Sequence, residues 1–583
     1  MAPHADTIPT PETPSAGAAN GRPHKHLRVS GAKIVDESND RVMLKGTALG
    51  GHLNMENFIT GYSGHEHEHR AAMAEILGDE KAAYFFDRFI HYFFRDEDAE
   101  FLASLGLNCL RVPFNYRHFI DDQDPAVIKQ SGFALLDNIV EICARHGLYV
   151  ILDLHTAPGG QNPDWHADSG VSRAQFWDFR IFQDQAIDLW VEIAKHYAGN
   201  PVIAGYNPLN EPADSKHTRL VAWYDRVEKA IRSVDPDHIL FLDGNTFAMD
   251  FSHFASVLPN TVYACHDYAQ LGFPIPGQAP YTGTSEQNAK LRSTFDRKAE
   301  FTRKHGVPLW NGEWGPVYSD ERKDPNGAAT NKTRLGVLRE QLNIYAETQT
   351  SWSIWTYKDV GYQGMVYASP DSPYLNLIEP FIAKKQALGL DFWGVVDKSG
   401  VAGTYGPFLR DLKEKVPEHL RNSKYPPHWS FERQVERVVR ECLMSEYLGK
   451  EFAELFRGKT FEEIDELAGS FRFESCVKRD GLNEALREDA ARSALNPDWR
   501  GREVRIDVSI EDRAAQIPMQ GLISFVLDLE RTWLGGDPAA MPSNVLIDVE
   551  DLPRAAKEVG IVGYAAIGLD GGNVELKIPF NTS

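Results

Sequence analysis

The chain has 583 residues, 42% of them hydrophobic and 25% charged, and carries a formal net charge of −22. That length exceeds what one hydrophobic core usually serves, which predicts two domains or one large barrel with an appendage. The negative charge argues against nucleic acid or an anionic membrane as partner and suits a neutral substrate such as a sugar, and no run approaches the roughly 18 consecutive apolar residues of an integral membrane segment.

Residues 1–25, rich in Pro, Ala, Thr and Gly and without an apolar segment, read as a disordered leader rather than a secretory signal, so a cytoplasmic location is expected. Cys109, Cys143, Cys265, Cys442 and Cys476 are odd in number and scattered, with no C-x-x-C, so neither a disulfide framework nor a zinc site is expected.

Leu27–Val35 and Arg41–Leu49 have the pattern of two strands joined by the turn-rich Asp36–Asp40. A repeated alternation then begins. Short β-branched runs occur at Val42–Leu49, Leu107–Phe114, Tyr149–His155, Val202–Asn210, His238–Asp243, Thr261–Tyr268, Val307–Trp314 and Ser351–Tyr357. Between them lie helical patterns at Asp96–Leu105, Gly132–Arg145, Ala174–Tyr197, Thr218–Val234, Ser285–Lys304 and Lys332–Glu347, with apolar residues at three- and four-residue steps. Strand and helix alternating eight times predict an α/β fold, a (β/α)8 barrel over residues 26–420, with the leading hairpin plugging its N-terminal mouth. Gly51–Arg95 and Asp359–Val396 are long excursions at the C-terminal face, where loops carry function. Tyr405–Lys415 is the expected closing helix. Residues 421–500 then read as a helical extension and 501–583 as a small mixed α/β segment without a catalytic motif.

In such a barrel catalytic side chains project from strand C-termini, while strand interiors are apolar. The strand ends carry Arg111, His155, Asn210-Glu211-Pro212, His266-Asp267-Tyr268, Glu313-Trp314 and Trp355. Two carboxylates three strands apart face one cavity from opposite walls. Glycoside hydrolysis uses that arrangement, one acid for the leaving oxygen and one base or nucleophile across the anomeric carbon.

These residues resemble glycoside hydrolase family 5, over roughly Leu27 to Val416. Gly46-Thr47-Ala48-Leu49-Gly50-Gly51 with Glu56, and Leu154-His155-Thr156-Ala157-Pro158-Gly159-Gly160-Gln161-Asn162, are most similar to its exo-β-1,3-glucanase branch. The resemblance implies a retaining enzyme with Glu211 as acid/base and Glu313 as nucleophile, and no cofactor or metal. It further implies that Arg111, Asn210, His266 and Tyr268 position the carboxylates, that His155 and Trp355 line the subsite of the reacting sugar, and that Glu56 binds its hydroxyls. Trp165, Phe273, Trp314 and Tyr362 are further stacking candidates from their loop positions.

The leading expectation is exo-acting hydrolysis of β-glucosides. Alternatives are an endo-β-glucanase, a diglycosidase, an intracellular glycolipid or steryl β-glucosidase and, from another class, a carbohydrate-binding scaffold. Where the glucanase branch typically carries Trp, this chain has His52. His65 and His69, four residues apart in His65-Glu66-His67-Glu68-His69, have metal-ligand spacing, but no further ligand cluster accompanies them and a solvated polar loop is expected there. Asn331-Lys332-Thr333 has the form of a glycosylation acceptor, which matters only if the chain is secreted. The aglycone and the oligomeric state are not legible in the sequence.

Overall fold

The computed structural model describes residues 24–495 except 276, 391–392, 394–398 and 422–428. The expected leader up to residue 23 and the expected α/β segment 501–583 lie outside the described residues. Eight parallel strands close a barrel in sequence order: β1 (Lys45–Ala48), β2 (Cys109–Asn115), β3 (Tyr149–Thr156), β4 (Ile203–Asn207), β5 (Ile239–Asp243), β6 (Thr261–His266), β7 (Leu309–Glu313) and β8 (Ser351–Ile354). Each overlaps an expected run. The strands are buried on both faces, as parallel strands covered by helices must be.

The N-terminal segment reverses once more than expected. Arg28–Ser30 pairs antiparallel with Lys33–Val35, turning at Gly31, whose φ of 56° favours glycine. A first reversal therefore lies within Leu27–Val35, ahead of the expected one. Asp36–Asp40 turns as expected, with the Asp36 carboxylate accepting from the backbone N–H of Ser38 and of Asp40 at 2.9 Å, and antiparallel pairing crosses it: Val35 bridges Arg41 and the Val42 N–H donates to the Ile34 carbonyl at 2.9 Å. Leu27 and Ile34 pack with Leu44, Ile151, Phe241 and Trp310, closing the foot of the barrel.

The closing helix also differs from expectation. A helix does span Ser399–Lys415. The outward side chains of β1 and β8, however, meet the later helix Asp480–Leu495. The Lys45 ammonium pairs with the buried Asp489 carboxylate, and Trp352 Nε1 donates to the same carboxylate at 3.2 Å. The stretch expected as an extension beyond residue 420 thus supplies a covering helix of the barrel. No helix among the described residues is long and apolar enough to cross a membrane.

The first excursion folds into the helices Glu66–Leu77 and Asp79–Phe93. Phe85 and Phe89 meet Phe456 and Phe471 from the post-barrel segment at centroid distances of 5.4 and 4.9 Å. Each such ring contributes on the order of 1.5–3 kcal/mol by burial, more than a typical exposed ion pair. His65–His69 is consequently a buried helix start, not a solvated loop. Glu66 accepts from the Met55 N–H at 2.9 Å and from Arg70 at 2.8 Å. His65 faces Glu68, while His69 stacks on Tyr62 at 4.2 Å, so the two rings are committed to different neighbours. Burial holds His69 down to about 3.

Candidate active site

The barrel interior is layered, because inward side chains recur every second residue along each strand. Above the apolar foot stand Arg111, Asp153, Asn207 and Asp243, all fully buried. The Arg111 guanidinium lies 5.8 Å above the Trp310 ring. Its Nη2 donates to Asn210 Oδ1 at 2.7 Å and Asn207 Oδ1 at 3.0 Å, and lies 3.1 Å from Asp153 Oδ2. Its Nη1 donates to Glu313 Oε1 at 2.5 Å. The other Glu313 oxygen accepts from the Tyr268 hydroxyl at 2.9 Å.

Glu211 sits opposite, beyond the end of β4, with a φ of 46°, a conformation rare for a residue bearing a Cβ. Both sides of the residue are held. Its N–H donates to Asp243 Oδ2 at 2.9 Å, and its carbonyl accepts from Asn162 Nδ2 at 3.0 Å. Its Oε1 lies 2.7 Å from His266 Nδ1 and its Oε2 lies 3.4 Å from His166 Nε2.

His266 Nδ1 and one carboxylate oxygen each from Glu211 and Glu313 lie within 4.8 Å of one another. Three such donors would also suit a divalent ion. Here, however, Arg111 already occupies Glu313, and burial favours a proton on Glu211. Burial and then the neighbouring charges of Glu313, Asp243 and Glu56 push the Glu211 carboxyl well above the usual carboxylate range. Burial also raises Glu313, but Arg111 and His155 oppose it, so of the pair Glu313 is the one that ionises first. Burial pushes Asp243 up to about 7. Burial opposes a charge on His155, yet Asp153, 2.8 Å from its Nδ1, holds it up to about 9.

Of the residues singled out from sequence, Glu56, Arg111, His155, Asn210, Glu211, His266, Tyr268, Glu313 and Trp355 come together. His155 stacks near-parallel on Trp355 at 5.3 Å and lies 3.6 Å from Glu56, which accepts from Trp165 Nε1 at 3.2 Å. Phe273 and Tyr362 belong to one aromatic wall. Trp393 lies 5.2 Å from Tyr268 and 4.9 Å from Phe273, and Phe58 lies 5.8 Å from Trp393 and 6.5 Å from Tyr362. His52 points away, its Nε2 2.9 Å from the Ile90 carbonyl.

Trp314 does not join the site. Cys265 pairs with Asn311 but His266 with Glu313, so a bulge at Gly312 shifts the two-residue alternation. Glu313 is thereby turned inward and Trp314 outward, where its ring packs on Tyr345 at 4.9 Å and Trp352 at 5.5 Å. Sequence reading also missed Asp153, Asn207 and Asp243, although polar residues on the inward alternation of apolar strands mark them. His166 and Trp393 carry no comparable signal.

The Trp355 ring requires Gly50 beneath it, since a Cβ there would stand 2.6 Å from two ring carbons. Gly50→Ala is expected to cost about 1–3 kcal/mol of stability and to lower kcat/KM, because the ring or the strand must give way. Thermal melts and initial rates check this, and an unchanged rate would remove Trp355 from the working surface.

A model of the cellulase family, glycosyl hydrolase family 5, matches residues 90–361. A beta-xylosidase of Phanerodontia chrysosporium is 52% identical over 474 residues, covering 80% of this chain and 98% of that protein. A probable glucan 1,3-beta-glucosidase A of Aspergillus clavatus is 26% identical over 359 residues, covering 55% of this chain and 84% of its own. Endoglucanase C of Acetivibrio thermocellus is 23% identical over 341 residues, covering 52% and 93%.

Proposed function

This chain belongs to glycosyl hydrolase family 5 and is a glycoside hydrolase, and from that premise we propose that it is an exo-acting β-glycosidase in which Glu313 is the nucleophile and Glu211 the acid/base. Retention is general to the family. The observation that carries the assignment is the approach of the two carboxyls, whose oxygens come within 4.8 Å. Retaining pairs stand about 5–5.5 Å apart, whereas inverting pairs stand about 6.5–9.5 Å apart to admit a water.

Glu313, its two oxygens held by Arg111 and Tyr268, attacks the anomeric carbon while Glu211 gives its proton to the leaving oxygen. Loss of the Glu313 charge in the glycosyl ester removes one of the charges that hold the Glu211 proton. Glu211 then takes a proton from water, whose oxygen attacks the anomeric carbon and frees Glu313. Glu56, held between Trp165 and His155 beside Trp355, offers a carboxylate to the hydroxyls of a terminal sugar, which supports exo action. Similarity to a beta-xylosidase at 52% identity supports examining β-xylosides first, ahead of the β-glucosides expected from sequence.

Initial rates on aryl β-xylosides and β-glucosides, with product lengths from the matching polymers, test this reading. Single sugars released from chain ends are expected, and mid-chain products would establish endo action instead. Glu211→Ala is expected to lose about 10²–10⁴-fold on substrates with poor leaving groups and far less on dinitrophenyl glycosides. Azide should restore its turnover with formation of the β-glycosyl azide. Equal losses on both substrate kinds would overturn the acid/base role.

A further inference from the structure

Asp243, at the end of β5, carries a fully buried carboxylate with no part in the double displacement itself. Its two oxygens face two different donors. Oδ2 accepts from the backbone N–H of Glu211 at 2.9 Å, and Oδ1 accepts from Asn207 Nδ2 at 3.0 Å. The orientation of the Asn207 amide is fixed by Arg111. A guanidinium only donates, so the Asn207 atom that receives Arg111 Nη2 at 3.0 Å and Nε at 3.3 Å is the oxygen. The other terminal atom is then the nitrogen, which donates to Asp243 and to the Phe241 carbonyl at 2.8 Å. Asp243 thus meets a donor at each oxygen, a demand that a carboxylate satisfies and an amide cannot.

The same strand end grips the turn that carries Glu211 at three points. Besides the Glu211 N–H, the Pro212 carbonyl accepts from the Phe247 N–H at 3.2 Å, and the Asp214 N–H donates to Asn245 Oδ1 at 2.8 Å. Glu211 needs such a hold because its φ of 46° lies in the left-handed region, which a residue with a Cβ keeps only when its surroundings impose it. From Asp243 the hydrogen bonds continue through Asn207 to Arg111 and on to Glu313 Oε1. One buried frame therefore runs from the main chain of Glu211 to the carboxylate of Glu313.

We propose that Asp243 is a positioning residue for the acid/base, its carboxylate fixing the main chain of Glu211 and, through Asn207 and Arg111, the spacing of Glu211 from Glu313. The inference rests on the acid/base role of Glu211 given above. The charge of Asp243 has a second effect. Burial raises the Glu211 carboxyl, and the charges of Glu313, Asp243 and Glu56 raise it further against Arg111. His266 faces both carboxyls, Nδ1 standing 2.7 Å from Glu211 Oε1 and Nε2 3.6 Å from Asp243 Oδ2, while His166 lies 3.4 Å from Glu211 Oε2. Arg111 and Asp153 are the other charged groups that act on Asp243. Burial pushes Asp243 up to about 7, so it is ionised on the alkaline side, where Glu211 loses its proton. Removing that charge must lower the pKa of Glu211.

Two variants test it. Asp243→Asn keeps the shape of the side chain but turns an NH2 toward one of its two donors. Its kcat/KM on alkyl glycosides should fall about 10²-fold, the scale of loss for a reacting group displaced by about 1 Å. The loss on dinitrophenyl glycosides, which need little help from an acid, should be smaller, about tenfold. The alkaline limb of kcat/KM should move down by about one pH unit. Asp243→Ser leaves space in which water can meet both donors, and should move the limb in the same direction. A carboxylate serving the fold alone would lower the melting midpoint and leave the limb and the leaving-group ratio as in wild type. That result in a folded variant, or failure of both variants to fold, overturns the proposal. Glu211→Ala run alongside separates the two failures. If azide rescue succeeds there while the Asp243 variants keep the wild-type limb, only the role of Asp243 falls. If azide rescue fails, the acid/base assignment falls first.

Discussion

Glu313→Gln is expected to lower kcat by about 10⁵- to 10⁶-fold, the scale of loss when a covalent nucleophile is removed. The fold should survive. The residue is 4% exposed with its carboxyl bonded to Arg111 and Tyr268, and an amide fills the same volume while its oxygen can still accept from Arg111. Arg111 also keeps Asp153, Asn207 and Asn210 as partners, so no buried cation is left bare. A melting midpoint within about 5 °C of wild type is the matching expectation. The smaller Glu313→Ala variant adds a stereochemical readout. Azide entering the vacated side should yield the α-glycosyl azide from a β-glycoside, the opposite anomer to that from Glu211→Ala. A residual rate within tenfold of wild type, or the same anomer from both variants, would show that the two carboxyls do not divide the work as assigned.

How much of this was legible in the sequence depended on the range of the interaction involved. The eight strands were readable because each is a short apolar run set between helical periodicities, a local signal. The strand-end residues were readable because a polar side chain at the end of an apolar strand has few structural reasons to be there. Trp314 was misread for a definable reason. Its position at the end of β7 does not say which way its ring turns, and that is decided by the bulge at Gly312, which depends on the pairing partner, here β6. The earlier reversal at Ser30-Gly31-Ala32 escaped notice because Asp36–Asp40 is richer in turn residues, although the single glycine makes a tight turn of its own.

Contacts between distant segments were not legible. Nothing local says that Asp489 will pair with Lys45, or that Arg437 of the post-barrel helix will donate to the Pro163 carbonyl at 3.1 Å and pair with Asp164 beside Trp165. These pairs make the post-barrel helices part of the barrel and of the wall behind the site. A buried cation without its partner costs several kcal/mol, so such pairs are found together or not at all. His166 and Trp393 were invisible for the same reason, since each takes its meaning from a loop meeting another wall of the cavity.

Arg111 carries the second large expectation. Arg111→Met should destabilise the protein by about 3–5 kcal/mol, because Asp153 and Glu313 would remain buried without their shared cation. The variant should also show what the guanidinium does for the chemistry. Arg111 lowers the Glu313 pKa against burial, so its removal raises that pKa. Activity requires ionised Glu313, and the acid limb of kcat/KM must therefore move to higher pH. Arg111→Lys separates charge from geometry. An ammonium keeps the charge and much of the acid limb, but it is a point donor, whereas the planar fork reaches Asn207, Asn210, Asp153 and Glu313 on three strands or their ends at once. A loss of about 10²–10³-fold in kcat with a smaller shift of the limb is expected for Lys. Denaturant melts and pH-rate profiles of both variants decide the matter. If Arg111→Met keeps the wild-type acid limb, Glu313 is not the group that titrates there, and the guanidinium serves the fold alone.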